Sequence, residues 1–88
     1  MSNISCLTND NFKILSFLYD IRGADNYARI TQQEIADEIK ISRATINKII
    51  KQLKEEDYIV QDTVHIGRYL LTKKAISAIE TFRNSDKK

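Results

Sequence analysis

Between Thr31 and Leu53 the chain carries two apolar stripes at helical spacing with only a short break between them, and no other feature restricts its fold as strongly. Ile35, Ala36 and Ile39 form the first stripe, and Ile46, Ile49, Ile50 and Leu53 the second. Thr31-Gln-Gln-Glu34 has the spacing of a capping box, in which the threonine hydroxyl accepts from a free amide and the glutamate reaches back, so it marks where the first helix starts. Ser42 supplies the cap for the second. Lys40 and Ile41 are left to turn the chain, so two helices must cross close to the turn, with small Ala36 at the point of approach. Each helix then buries one side and offers the other to water.

Elsewhere there is no proline, and Gly23 and Gly67 are the two glycines, so boundaries come from caps and changes of period. A helix is expected from about Asp10, its candidate cap, to Ile21, with Ile14, Leu15, Phe17, Leu18 and Ile21 recurring at helical spacing and Gly23 ending it. Ala24 to Tyr27 reads as a loop and Ala28 to Ile30 as a short strand. From Tyr58 the period shortens: Tyr58-Ile-Val-Gln61, a polar turn and Ile66-Gly-Arg-Tyr-Leu-Leu71 predict an antiparallel hairpin. Thr72 is placed to cap a last helix whose stripe is Ala75, Ile76, Ile79 and Phe82. The expected fold class is mainly α with a small antiparallel β-hairpin, in one domain spanning 1–88 with flexible ends at 1–8 and 84–88.

Composition limits what such a domain can do. The 88 residues are 42% hydrophobic and 30% charged, enough for one core and no second. A single Cys6 forms no intramolecular disulfide and points to a reducing cytoplasm. The start of the chain shows no basic leader, and no apolar run approaches bilayer length, so neither secretion nor membrane insertion is expected. One His and one Cys, with no paired metal-ligand spacing and no glycine-rich phosphate loop, leave no chemistry to converge: no enzyme, metal, cofactor or small-molecule effector is expected. The net charge of +2 says little by itself. Its distribution says more, since Arg43, Lys48, Lys51 and Lys54 lie between the acidic clusters Glu34/Asp37/Glu38 and Glu55/Glu56/Asp57, and the helix from Ser42 is the most basic in the chain.

From about Asp10 to Phe82 the sequence resembles the winged helix-turn-helix family of bacterial regulators, and MarR-type regulators show a similar order of elements. Ile35-Ala-Asp-Glu-Ile-Lys-Ile-Ser-Arg-Ala-Thr-Ile46 looks like the family's helix-turn-helix, Leu53-Lys-Glu-Glu-Asp-Tyr-Ile59 like its passage into the wing, and Leu71-Thr-Lys-Lys-Ala75 like its return into the last helix. Two residues depart from the pattern. Lys40 stands where a small residue is usual, and because a left-handed backbone there costs about 1–2 kcal/mol the turn is expected to be built differently. Asp57 replaces the glycine often found before the first wing strand.

The resemblance implies sequence-specific binding of double-stranded DNA, in a repressor-like regulator that sets helix 42–56 in the major groove with the 58–71 hairpin as wing. Local chemistry agrees. Ser42 and Thr45 suit phosphates at a helix start, Arg43 a guanine, Asn47 an adenine, and Lys48 and Lys51 backbone phosphates. Gln32 and Gln33 are placed for the flanking strand, and at the wing Arg68 suits a minor groove and His65 a phosphate. For each residue simple solvation is the alternative, and for Arg43 an ion pair with an acid on the preceding helix. Two rival functions keep the same fold: a protein-interaction module, and the DNA-binding part of a plasmid or phage replication protein. A homodimer is expected to use the first and last helices, through Leu7, Phe12, Ile79 and Phe82.

Overall fold

The elements follow in the order α1 (Asn9–Ile21), β1 (Tyr27–Arg29), α2 (Gln32–Ile39), α3 (Arg43–Glu55), β2 (Ile59–Gln61), β3 (Arg68–Leu71) and α4 (Lys73–Asp86) in the computed structural model, which describes residues 9–61, 64 and 67–86. Helix starts agree with the caps in the sequence. Thr31 and Glu34 form the full capping box, and the Ser42 hydroxyl accepts from the Thr45 amide. Thr72 Oγ1 accepts from the Ala75 amide and, as a donor, lies within reach of the carbonyls of Asp57 at 2.7 Å and Tyr58 at 3.1 Å. Asp10, by contrast, lies inside the first turn of α1 rather than at its cap, where its carboxylate still suits the positive end of the helix. At the other end of the chain α4 runs to Asp86, past the boundary expected at Asn84.

The core is built from one side of every helix. Ile14, Leu15 and Leu18 of α1, Ile35 and Ala36 of α2, Ile46, Ile49, Ile50 and Leu53 of α3 and Ala75 and Ile79 of α4 are buried together with Tyr58, Ile59, Tyr69 and Leu71. Ile39 and Ile41 pack against this cluster from its edge. Fully burying a side chain of this size contributes roughly 1.5–3 kcal/mol, so α3 alone supplies the largest share from any one helix. The expected hairpin is present, but it belongs to a three-stranded antiparallel sheet of order β1-β3-β2. β1 begins one residue earlier than expected and pairs Tyr27, Ala28 and Arg29 with Leu70, Tyr69 and Arg68. This pairing sets Arg29 opposite Arg68. Asp25 answers Arg29 at 2.7 Å, and the guanidinium hydrogen bond, then the Tyr27 amide, hold the Asp25 carboxyl below its usual range. The bridge is therefore complete above the ordinary carboxylate range and is lost as acid protonates Asp25.

Three corners among the described residues carry left-handed backbone on residues other than glycine. Lys40 has φ 64 and ψ 44, so the turn expected to be built differently is a left-handed turn after all. The amides of Lys40 and Ile41 both donate to the Ala36 carbonyl, at 2.8 and 3.3 Å, which satisfies the open end of α2 and turns the chain at once. At the end of α3, Asp57 has φ 69, its amide donates to Lys54 and the Tyr58 amide to Leu53, the two bonds of a Schellman ending. After α1 the left-handed residue is Asn26, at φ 66, rather than Gly23. The one glycine with positive φ is Gly67, at 83, whose carbonyl takes the Ile30 amide where β3 begins.

Lysine tolerates this backbone less well than aspartate, whose short polar side chain bonds locally. Lys40→Gly is therefore expected to raise stability by about 0.5–1 kcal/mol after allowing for the freer unfolded chain, and Asp57→Gly by less than half as much. In thermal unfolding, a gain of several degrees for the first and little for the second is the expected order. Equal or inverted shifts would refute this account of the turns.

Candidate nucleic-acid interface

Burying Ile46, Ile49, Ile50 and Leu53 leaves α3 no freedom about its own axis. Helical spacing then places Ala44, Lys48, Lys51 and Glu55 directly opposite the core, with Arg43, Asn47 and Lys54 along one flank and Thr45 and Gln52 along the other. All of these except half-buried Thr45 are exposed. The alternative of an ion pair between Arg43 and α2 is not realised: among the described residues Arg43, Lys48 and Lys51 have no ion pair or hydrogen bond. The face thus offers three unneutralised cations within three turns, with Glu55 as the one acid at its far end.

The start of α3 is preorganised for an anion. Ser42 Oγ accepts from the Thr45 amide at 3.3 Å and donates its own proton to Thr45 Oγ1 at 2.9 Å. The serine hydroxyl is thus committed to the cap, and the threonine proton is the one left to give to a phosphate, beside the free amides of the first turn.

Three side-chain bridges anchor the flanks. Asn11, itself buried, donates to Gln52 at 3.1 Å from α1. Asn47 Nδ2 donates to Gln32 Oε1 at 3.1 Å, joining the first turn of α2 to α3. Lys54 Nζ donates to Gln61 Oε1 at 2.9 Å, joining the end of α3 to the first wing strand. Of the residues expected at the interface, Gln32, Ser42, Arg43, Thr45, Asn47, Lys48 and Lys51 are therefore brought together on and beside α3. Gln33 is not, since its amide turns along its own helix to Asp37 at 3.1 Å. Arg68 lies half-buried on β3 opposite Arg29. His65 lies outside the described residues. Four residues of the face and its flanks, Ala44, Gln52, Lys54 and Glu55, lie outside the expected contact residues. Ala44 was legible from its place one turn before Lys48, whereas the Lys54 bridge depends on where the sheet lies.

The sequence profile of a family described as winged helix-turn-helix DNA-binding matches residues 11–60, more than half of the chain. The chain belongs to this family. A winged helix-turn-helix fold also appears in the solved S. aureus MepR–DNA complex, whose MepR chain superposes with a TM-score of 0.69 at 23% identity. The match covers 88% of this chain and 62% of the MepR chain, so this winged helix-turn-helix domain spans less than two thirds of that protein. No curated protein sequence matches significantly. At that identity the structural likeness speaks for the fold, and the family assignment speaks for DNA binding.

Lys48 and Lys51 are exposed point charges on the outward face of α3, suited to phosphates. Lys48→Ala and Lys51→Ala are each expected to weaken binding to all duplexes alike and to reduce the slope of log affinity against log salt by about one. Titrations at several salt concentrations measure both quantities. An unchanged slope in both variants would remove these lysines from the interface.

Proposed function

We propose that this protein is a sequence-specific, repressor-like transcriptional regulator that lays α3 in the major groove of double-stranded DNA, with the 58–71 hairpin beside it as a wing. The observation that carries the reading is the outward face of α3, where the side chains of Arg43, Lys48 and Lys51 are exposed without an ion pair or hydrogen bond among the described residues, beside the carboxamide of Asn47. Arg43 is set to take a guanine edge in two parallel bonds, and Asn47 an adenine edge. Ala44 is small enough to let α3 approach closely and to meet a thymine methyl. Thr45, Lys48 and Lys51 hold phosphates, and Arg68 extends the contact from the wing. The fold is shared with MepR, which is solved as a complex with DNA, and that likeness supports binding of DNA by this domain. An intracellular, cytoplasmic setting goes with this reading.

A homodimer through α1 and α4 fits the surface. Phe12 of α1 and Phe82 of α4 stack with centroids 4.4 Å apart, and Phe82 remains 50% exposed. Arg83 bonds Ser16 and Asp20 and lies over the Tyr19 ring, so the seam between the two helices is already rigid before a partner arrives. Ile79 is excluded from such an interface because it is fully buried in the monomer core, and Leu7 lies outside the described residues. Pairing on this seam would let two α3 helices meet successive major grooves.

The test of function is a titration of the wild type and of an Arg43→Ala/Lys48→Ala variant against duplexes selected from a randomised pool and against a scrambled duplex. Preferential, salt-sensitive binding that the variant loses is the expected result. A folded protein that binds neither duplex at low salt would instead make this domain an interaction module. For assembly, sedimentation at micromolar concentration is expected to show a dimer that Phe82→Asp converts to monomer, with the fold retained. A wild-type monomer would exclude the α1–α4 interface.

A further inference from the structure

The bridge between Gln32 and Asn47 fixes which atoms the interface presents. A carboxamide carries an oxygen on one side and two N–H donors on the other, and its terminal torsion is broad and nearly two-fold, so a solvated asparagine offers either side to the same spot. Asn47 is exposed, and its rotation is limited by one bond, from Nδ2 to Gln32 Oε1 at 3.1 Å. That bond consumes one of the two N–H donors. Oδ1 and the second N–H remain, one acceptor and one donor. Adenine presents the complement in the major groove, the N6 donor beside the N7 acceptor, whereas guanine presents two acceptors. With the amide held, Oδ1 faces an adenine N6 favourably and a guanine O6 unfavourably. Released, the amide turns over and gives one N–H to guanine O6, while its oxygen then faces the N7 acceptor, so guanine gains a single bond and the margin for adenine narrows.

Gln32 is well placed to hold the bridge. It is the first residue of α2, directly after the Thr31 capping box, and its side chain is half-buried. The Lys40 turn and the packing of Ile35 and Ala36 on α3 fix the distance between the two helices. Its Nε2 has no partner among the described residues, so both of its protons remain for a neighbouring phosphate.

We propose that Gln32 is a positioning residue for base readout: by accepting from Asn47 it holds that carboxamide in the orientation that selects adenine over guanine, while its own amide engages the adjoining phosphate. The inference rests on α3 being the helix that reads DNA. It makes the base preference at one position depend on a residue of the other helix, and it ties that preference to correct seating on the backbone.

The test compares wild type, Asn47→Ala, Gln32→Met and Gln32→Glu by selection from a pool of duplexes with a randomised core, followed by titration of the selected duplex with adenine or guanine at the position sensitive to Asn47. Methionine keeps the length of the side chain and removes the acceptor; glutamate can only accept, so it keeps the bond in the stated sense. Wild type is expected to prefer adenine by on the order of tenfold, within what a bidentate pair supplies. Gln32→Met is expected to lose part of that preference, less than Asn47→Ala loses, with an unchanged melting temperature. Gln32→Glu is expected to keep the preference although its added charge weakens binding to every duplex. A Gln32→Met variant that retains the wild-type preference while Asn47→Ala loses it would overturn the positioning role and leave DNA reading by α3 intact. A Gln32→Glu variant as relaxed as Gln32→Met would overturn the stated direction of the bond. A folded wild type that selects no motif would overturn the reading of the interface and this inference with it.

Discussion

Everything at the interface depends on the one-sided burial of α3. Ile46, Ile49, Ile50 and Leu53 lie on one strip, and together they withdraw about 6–12 kcal/mol worth of apolar side chain from water. A rotation of α3 by a single residue position would expose part of that strip and bury Asn47 or Thr45 in its place. No polar contact on the helix matches this sum, since a surface hydrogen bond contributes about 1 kcal/mol or less. The apolar strip therefore sets the direction of the outward face. The bridges from Asn11, Gln32 and Gln61 act within that setting: they fix individual side chains on a helix whose orientation is already decided.

The same burial explains why the left-handed corners at the two ends of the path through α3 persist without glycine. Lys40 and Asp57 each hold a backbone conformation that costs a non-glycine residue about 1–2 kcal/mol, Lys40 in the turn between α2 and α3 and Asp57 where α3 ends. If either relaxed, α3 would lose its crossing with α2 or its connection to β2, and the apolar strip with it. The cost is further offset by the carbonyls that the turns satisfy, Ala36 at one corner and Leu53 and Lys54 at the other. At the second corner Thr72 and Lys74 also reach across from the start of α4 to the carbonyls of Glu56, Asp57 and Tyr58. The start of the wing is consequently braced by the last helix, so the wing and α3 share one rigid origin.

What was legible in the sequence follows from the range of the forces involved. Helices α2 and α3, their caps and their buried strip are local, repeated every three or four residues, and their boundaries agree with the structure to within a residue. The hairpin of β2 and β3 is likewise close in sequence. The third strand was seen as a strand but not as part of the sheet, because Tyr27 to Arg29 pair with Arg68 to Leu70 across about forty intervening residues and nothing local records a partner that distant. Ile79 and Phe82 looked equivalent on a helical stripe, yet one is fully buried and the other half exposed, since α1 covers α4 only in part. At the candidate site the residue types of α3 were legible and their commitments were not. Whether Gln32 turns to Asn47 depends on the crossing of two helices, which spacing alone does not give, whereas Gln33 and Asp37 are an i,i+4 pair within α2.

The cations of this domain separate into two groups, and the separation bears on function. Arg22, Arg29, Arg83, Lys54 and Lys74 each bond a carbonyl, an amide oxygen or a carboxylate in the structure, and each joins elements or closes a turn. Lys13, Lys40 and Lys73 lack such bonds but are scattered over α1, the α2–α3 turn and the start of α4. Arg43, Lys48 and Lys51 lack them too, yet they share one helix, with Lys48 and Lys51 one turn apart. Like charges at that spacing destabilise a helix by a few tenths of a kcal/mol, and α3 has no acid in its first turn to answer its dipole. Folding alone gives no reason to gather them there, because the acids of α2 were near enough in sequence to be matched to them. A polyanion laid along α3, as proposed above, would reverse the sign of that repulsion and turn a spacing that is a cost in the free protein into a row of contacts.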